Sequence, residues 1–226
     1  MTISDRRRAL VGASKEDIYT INALLKSVEK GDYASKYNLG DIIITPVQSH
    51  GDIPMQIVGF DVDALSDDSG YAPVTLVSTK SLALQYWSTT GTNAGGYPLA
   101  TVRTYLNETI APRFQSSIGI EHLAEVKKSS YGPANTVNPQ RTDPRSTLWS
   151  NDLVWLPSAR EWGRTDRENS GPIYSSMIKN VAFRYLLRST YKERTTTVDI
   201  ILENGTYGTD YGIGTKRSCR VGICIK

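Results

Sequence analysis

Apolar side chains near the start of the chain recur at helical spacing. They are Ile18, Ile21, Leu25 and Val28, separated by three, four and three positions. This spacing places them on one helix face, and Ser14 and Gly31 are suitable residues to cap and to end a helix over 14–31. That face must be covered by the same chain or by another subunit. We predict that it joins copies of the chain, and docking on its own domain is the alternative.

After Gly40 the pattern becomes that of β-strands. The predicted strands are 41–47, 53–63 and 73–78. Turn-rich segments at 49–52 and 66–70 separate them, which predicts an antiparallel meander. Pro46 cannot donate a ladder hydrogen bond, so it indicates an edge position or the end of the first strand.

A second helix is predicted over 98–110. Its apolar face would consist of Leu99, Val102, Leu106 and Ile110. Pro98 suits the first turn of a helix, whereas Pro112 cannot continue one and therefore predicts its end. After it we expect a helical turn at 114–118 and a strand at 123–127.

Two polar segments, 129–150 and 163–172, contain few apolar residues and predict long loops. A loop as long as the first, 129–150, is usually functional or mobile in a compact domain. Between them, residues 152–157 predict a buried strand. Ser158 and Glu161 follow at the spacing of a capping box, which predicts a short helix.

The remaining segments predict further strands. They are 183–189, 197–202 and 220–225. Asn204-Gly205 is typical of a hairpin turn. Arg188 lies in an apolar strand, and a buried unpaired charge is costly, so we expect Glu161 or Glu108 to pair with it.

The composition is that of an ordinary globular protein, with 39% hydrophobic and 22% charged residues. The net charge of +3 is too small to favour nucleic-acid binding, which requires a clustered basic stripe. No apolar run approaches the roughly 20 residues that cross a bilayer. We therefore expect no nucleic-acid partner and no membrane insertion.

Residues that usually hold metals are sparse. His50 and His122 are the only histidines, and no Cys/His spacing resembles a zinc site. The aspartates of 61–68 do not follow the EF-hand pattern, which favours a solvated acidic loop and leaves only a weak calcium site open. Cys219 and Cys224 would lie roughly 16 Å apart on one strand, too far for a disulfide, so we expect two free thiols. We expect no metal and no cofactor.

Four segments in order resemble an uncharacterised domain family of bacteriophage structural proteins and bacterial surface proteins. They are 102–107 (VRTYLN), 154–161 (VWLPSARE), 185–189 (YLLRS) and 219–225 (CRVGICI). The similar family motifs are an Arg-x-(Trp/Tyr)-Leu-Asn helix, a strand ending Leu-x-Ser-x-x-Glu, a Trp-Leu-Arg-Ser strand and a final Arg-Pro-Ala-Phe-like strand. The chain departs from them where Tyr185-Leu186 replaces the usual tryptophan and Val221-Gly222 replaces Pro-Ala.

The family is similar to the C-type-lectin-like fold of formylglycine-generating enzymes and of variable phage receptor-binding proteins. The resemblance implies an α+β fold, with an N-terminal arm and helix at 1–38 and a C-type-lectin-like domain at 39–226. It also implies that the residues shared with the family fix the fold rather than catalyse. These residues are Asn107, Trp155, Ser158, Glu161, Arg188 and Ser189.

The resemblance further implies a non-enzymatic virion protein, made in the host cytoplasm without a signal peptide. It would be a tail-tip, fibre or surface-displayed receptor-binding module. Its partners would be a host cell-surface protein or glycan, other virion proteins bound through the N-terminal helix, and further copies of the chain, with a trimer favoured. The alternatives are a capsid decoration or connector protein without a ligand and, more distantly, a formylglycine-generating-type oxidase that uses Cys219 and Cys224.

The predicted binding site lies in the segment 204–218, which is rich in Tyr, Gly, Asn and Ser, as adaptable binding surfaces are. The predicted partner-binding residues are Tyr207, Asp210, Tyr211, Lys216 and Arg217. In the family's fold a terminal hairpin and the long loops 129–150 and 163–172 are expected at one end of the domain. The alternative is that Tyr207 and Tyr211 pack into the core of the hairpin.

Overall fold

The computed structural model describes residues 19–131, 147–164, 171–179, 181–191, 194–210 and 213–226. The α-helices are α1 (Ile21–Glu29), α2 (Tyr33–Lys36), α3 (Thr101–Tyr105) and α4 (Ala111–Ile118). Shorter helical pieces are 3₁₀ turns at Tyr97–Leu99 and Ile120–His122 and a π turn at Leu106–Ile110. The strands are β1 (Ile42–Val47), β2 (Gly51–Ala64), β3 (Tyr71–Ser78), β4 (Ala83–Tyr86), β5 (Leu123–Ala124), β6 (Val126–Tyr131), β7 (Thr147–Asp152), β8 (Val154–Trp155), β9 (Tyr185–Thr190), β10 (Val198–Ile201), β11 (Tyr207–Asp210), β12 (Lys216–Cys219) and β13 (Gly222–Ile225).

The first sheet has the strand order β1-β2-β3-β13-β5, with β8 also paired to β13. Strands β1, β2 and β3 form the predicted antiparallel meander. β1 lies at the edge, as Pro46 predicts, because proline cannot donate to a further strand. The mixed α+β class is therefore confirmed, with mostly antiparallel sheets.

The second sheet has the order β11-β10-β9-β12-β4, and β6 and β7 form a separate hairpin. The predicted last strand, 220–225, is confirmed as β13 but begins two residues later, because the chain leaves the second sheet after Cys219 and enters the first sheet at Gly222. Ser78, at the end of β3, hydrogen-bonds to the segment that connects the two sheets. Its backbone N–H donates to the carbonyl of Val221 at 2.8 Å, and its hydroxyl accepts from the Val221 N–H at 2.9 Å.

The main core lies between the two sheets and the helical segment that contains α3, the π turn and α4. Its buried side chains from these elements include Ile43, Met55, Ile57, Leu76, Val102, Leu106, Ile110, Phe114, Leu186, Val198, Ile200, Cys219 and Ile223. A second cluster, with Val77, Trp155, Tyr174 and Cys224, lies on the other face of the first sheet.

The N-terminal helix begins later than predicted. Thr20 is extended and pairs with Ile44 of β1, and its hydroxyl accepts a 3.3 Å hydrogen bond from the N–H of Ala23. Thr20 is therefore the cap of α1, so the prediction of one helix from Ser14 onwards is wrong. Ser14 itself lies outside the described residues.

The apolar stripe of α1 is covered by its own chain. Ile21 and Leu25 belong to the main core, and Val28 packs against its margin. The side chains of Ile21 and Leu25 are therefore covered by their own domain, as in the alternative, whereas Val28 is partly buried. Ile18 lies outside the described residues. Association of copies, and a trimer in particular, stays a prediction.

The second helix does not end at Pro112. It continues from α3 through the π turn into α4, and the N–H of Ala111 donates to the carbonyl of Leu106, five residues back. In a regular helix the ring of Pro112 would clash with the carbonyl of Glu108, and the wider π turn relieves that clash. The helix instead ends at Gly119, whose φ is +92°.

Part of the predicted polar loop at 129–150 is a β-hairpin. β6 and β7 pair from Val126↔Asp152 to Tyr131↔Thr147. The hairpin also buries three serines, Ser129, Ser130 and Ser150. A search for apolar alternation therefore misses these strands. Residues 132–146 lie outside the described part of the chain.

Candidate functional site

The five predicted binding residues do not form one hairpin. Asn204-Gly205 does form the predicted turn, but it joins β10 to β11. β10 and β9 lie between β11 and β12, so Tyr207 and Lys216 sit on strands about 14 Å apart. Asp210 ends β11 and its side chain is not described. Tyr211 lies outside the described residues.

Tyr207 is half-buried and packs against Trp162, with 6.3 Å between ring centroids. The alternative in which Tyr207 is a core residue is therefore partly correct. Lys216 is exposed, and its Nζ lies 5.3 Å from the ring centroid of Tyr86. Arg217 is half-buried and points to the opposite face, because successive strand residues alternate.

Aromatic rings beside basic groups mark the outer face of the second sheet. Cross-strand pairing places the half-buried Tyr207, the buried Tyr185 and the exposed Leu84 on this face. The guanidinium carbon of Arg164 lies 4.5 Å from the ring centroid of Tyr207. A second basic group also lies beside an aromatic ring: Nζ of Lys179 is 4.5 Å from the ring centroid of Trp162.

We call this face the aromatic–basic surface. Its members are Tyr86, Trp162, Arg164, Lys179, Tyr207 and Lys216. The sequence prediction included Tyr207 and Lys216 and missed the others. Trp162 and Arg164 lie on either side of the first residue of the predicted loop 163–172. An aromatic and a basic residue at the start of a long polar loop are the signal that could have identified them.

A second group of polar residues is entirely inside the protein. We call it the buried charge cluster, and it consists of Asp63, Lys128, Glu161, Tyr174 and Arg188. None of the five is more than 2% exposed. The sequence prediction paired only Glu161 and Arg188, because the other members come from distant segments.

Glu161 and Arg188 form the predicted ion pair. Two guanidinium nitrogens of Arg188 donate to the two carboxylate oxygens of Glu161, at 2.6 and 2.9 Å. Arg188 also donates to the carbonyls of Leu156 and Ser129, both at 2.7 Å. Glu161 rather than Glu108 is therefore its carboxylate partner.

A capping box fixes the position of Glu161. Its N–H donates to the hydroxyl of Ser158 at 3.0 Å, and its carboxylate accepts from the N–H of Ser158 at 2.9 Å. The predicted hydrogen bonds are confirmed, but only a single turn follows instead of a helix.

Lys128 is the centre of the cluster. Its Nζ donates to Asp63 at 2.5 Å, to the hydroxyl of Tyr174 at 2.9 Å and to Glu161 at 3.2 Å. The ring of Trp155 covers it, with the centroid 3.5 Å from Nζ. The predicted solvated acidic loop is thus wrong for Asp63, which lies on β2 and is buried.

Glycine at position 222 leaves room for the indole ring of Trp155 over Lys128. A Cβ at this position would come within 2.3 Å of the indole ring of Trp155. An alanine at this position would not fit beside the ring in its present position.

The charges of the cluster balance, with two cations and two carboxylates. Burial alone would raise the pKa of Glu161, but Arg188 and Lys128 outweigh it and lower this pKa to about 2. Burial would lower the pKa of Lys128, but Asp63 and Glu161 raise it above its ordinary value. The surroundings therefore favour an ionised carboxylate at Glu161 and an ionised ammonium at Lys128.

The helix motif 102–107 also stabilises the fold, through hydrogen bonds to neighbouring strands. Nε of Arg103 donates to Asp152 at 2.7 Å, and the side-chain amide of Asn107 donates to the same carboxylate at 3.1 Å. The amide oxygen of Asn107 accepts from the N–H groups of Leu153 and Val154. These contacts hold the end of β7 and the start of β8 against the helix.

The two thiols are free and buried, as predicted. Cys219 belongs to the main core, whereas Cys224 belongs to the second cluster and lies 3.7 Å from Asp63. Burial raises the pKa of Cys219 to about 12 and raises that of Cys224 even further. A thiolate, the reactive form, is therefore disfavoured at both positions.

No family model, curated protein or solved structure matches this chain. Within the described ranges, no group of three or more His, Cys, Asp or Glu side chains could hold a metal ion. None of the described helices is long and apolar enough to cross a membrane.

Proposed function

We propose that this chain is a non-enzymatic virion protein that binds a host cell-surface glycan through the aromatic–basic surface. The finer assignment to a C-type-lectin-like fold belongs to this proposal. It is supported by the order of the four motif segments and by the structural contacts that their polar residues make. These residues are Arg103, Asn107, Ser158, Glu161 and Arg188.

The observation that carries the binding role is the placement of cations against half-buried rings. Within the described residues, Lys179 and Lys216 lie over aromatic rings rather than beside carboxylates. A ring offers a flat apolar face to a sugar, and a neighbouring ammonium can pair with a carboxylate or phosphate. This combination favours a glycan that carries acidic groups.

The buried thiols weaken the oxidase alternative. Cys219 and Cys224 lie in different clusters and on strands of different sheets. Chemistry that uses both cysteines would require them to meet at one accessible place. The binding role requires no such rearrangement.

The test compares two double variants with the same change of charge. Lys179→Ala with Lys216→Ala removes both exposed lysines of the surface. Lys26→Ala with Lys30→Ala is the control, since both of these lysines are exposed at α1. Labelled protein is titrated onto a panel of bacterial cells and onto purified acidic and neutral cell-wall glycans.

We expect the surface variant to bind cells and acidic glycans at least about tenfold more weakly, because interface anchors often carry ~2 kcal/mol each. The control should bind like the unchanged protein. Equal binding by both variants would contradict the proposal. Binding that survives protease treatment of the cells but not removal of their glycans would support a glycan over a protein ligand.

A further inference from the structure

One pair inside the buried charge cluster has the arrangement of two reactants. Nζ of Lys128 lies 2.5 Å from Oδ1 of Asp63, which is one covalent bond from the carboxyl carbon. Both side chains are 1% exposed. This hydrogen bond keeps the amine beside the carboxyl group, and a rotation of the carboxylate would bring its carbon to roughly the 3–3.5 Å from which two atoms can form a bond.

The neighbouring groups connect the amine to the other carboxylate oxygen. The hydroxyl of Tyr174 lies 2.9 Å from Nζ of Lys128 and 2.8 Å from Oδ2 of Asp63. Oε1 of Glu161 lies 3.2 Å from the same Nζ and 3.2 Å from the Tyr174 hydroxyl. Protons can therefore move from the nitrogen to Oδ2 without bulk water.

Two features favour attack at the carboxyl carbon. Thr75 and Tyr174 both donate to Oδ2, at 2.6 and 2.8 Å, and so stabilise the negative charge that develops there. The ring of Trp155 lies over Nζ. It excludes the water that would hydrolyse an amide.

We propose that Lys128 and Asp63 condense to an intramolecular amide bond after the chain has folded. The bond from Nζ to the carboxyl carbon forms, and the bond from that carbon to Oδ2 breaks. The two surplus protons of the ammonium leave with Oδ2 as one water molecule, and Oδ1 remains as the amide oxygen. Nothing is oxidised or reduced.

Glu161 and Tyr174 have separate roles in this reaction. Glu161 holds the nitrogen in position through its hydrogen bond, and Tyr174 passes the two protons from the nitrogen on to Oδ2. Both side chains end in the state in which they began. Arg188 keeps Glu161 in place through its paired hydrogen bonds.

The reaction is slow relative to folding. Burial lowers the pKa of Lys128, but Asp63 and Glu161 raise it overall, so the ammonium is the resting form. A proton must therefore leave the nitrogen before it can attack. The product joins β2 to β6 covalently and links the first sheet to the β6–β7 hairpin.

The test is the intact mass of the purified full chain after unfolding in denaturant. We expect a mass lower by one water molecule, in a fraction that increases with time after refolding. Proteolysis should then release a cross-linked peptide whose fragments place the bond between Asp63 and Lys128. Because this peptide is identified in the unchanged chain, the result does not depend on whether a variant folds.

Lys128→Arg is the matched control, since it keeps the cation but cannot form this amide. This variant should keep the mass calculated from its sequence, without loss of water. Loss of water in this variant as well would overturn the proposal, because the reaction would then occur at another site. A full mass in the unchanged protein after prolonged incubation in the folded state would overturn it directly. Tyr174→Phe should slow the water loss by about tenfold or more, and an unchanged rate would overturn the relay.

Discussion

The buried charge cluster and the aromatic–basic surface use the same residue types in opposite surroundings. In both, a lysine lies over a tryptophan: Lys128 over Trp155 inside, and Lys179 over Trp162 outside. Inside the protein, Lys128 also contacts two carboxylates, because a buried cation without a partner would be costly. At the surface, the side chain of Lys179 is exposed, so its ammonium remains available to a ligand.

Contact with a ring therefore does not distinguish a structural cation from a binding one. Carboxylate pairing and solvent access do distinguish them, and they predict opposite responses to substitution. Changes in the cluster should reduce stability, and changes at the surface should reduce binding.

The largest effect is expected for Arg188→Leu. It leaves the carboxylate of Glu161 buried without its main partner, which should cost about 3–5 kcal/mol of unfolding free energy. Arg184→Leu is the control, because its ion pair with Glu203 is exposed and worth about 1 kcal/mol or less. Denaturant titrations of both variants measure the difference. Equal losses would show that the cluster contributes no more than a surface pair.

The second-largest effect is expected at low pH, where the buried charge cluster should contribute less to the unfolding free energy. The pKa of Glu161 is about 2 in the fold against an ordinary 4.5, so its contribution is fully present above pH 4.5 and is lost as the pH falls through about 2. This shift corresponds to about 3 kcal/mol. Unfolding free energies measured at decreasing pH should show the decline, and Glu161→Gln should flatten it. A slope that Glu161→Gln leaves unchanged would assign the acid sensitivity to other carboxyl groups.

Tyr207→Ala tests the boundary between the two regions. The ring is half-buried against Trp162, so we expect the unfolding free energy to fall by about 1–2 kcal/mol. Tyr207→Phe should retain most of the stability, since it keeps the ring. If thermal melts show the alanine variant to be as stable as the unchanged protein, Tyr207 belongs to the binding surface alone.

The smallest effect on stability is expected for Lys179→Ala with Lys216→Ala. Both side chains are exposed, and surface substitutions usually change stability by about 0.5 kcal/mol or less. Denaturant titration of this double variant checks the expectation. A loss comparable to that of Arg188→Leu would erase the distinction between the two regions.

Local rules predicted the parts of the molecule that depend on nearby residues. The capping box of Ser158 and Glu161, the turn at Asn204-Gly205 and the meander β1–β3 all follow from short-range spacing. The pairing of Arg188 with Glu161 was also predictable, because a buried arginine requires a carboxylate.

Other features depend on contacts that local patterns do not contain. Lys128 meets Asp63 only because β6 lies against β2, and nothing near either residue indicates it. The cap at Thr20 depends on pairing with Ile44 of β1. Pro112 stays in the helix because of a π turn, which the usual rule for proline does not include.

The position of β13 has a consequence for how the protein is made. This strand pairs with β3 on one side and with β5 and β8 on the other. The meander β1–β3 can form as soon as the ribosome releases it, whereas β5 and β8 cannot join this sheet until β13 has been synthesised. Pairings between segments so distant in sequence form slowly, so the first sheet closes late. Until then β3 presents an open edge to other chains, and anything that delays β13 should increase aggregation of the nascent protein.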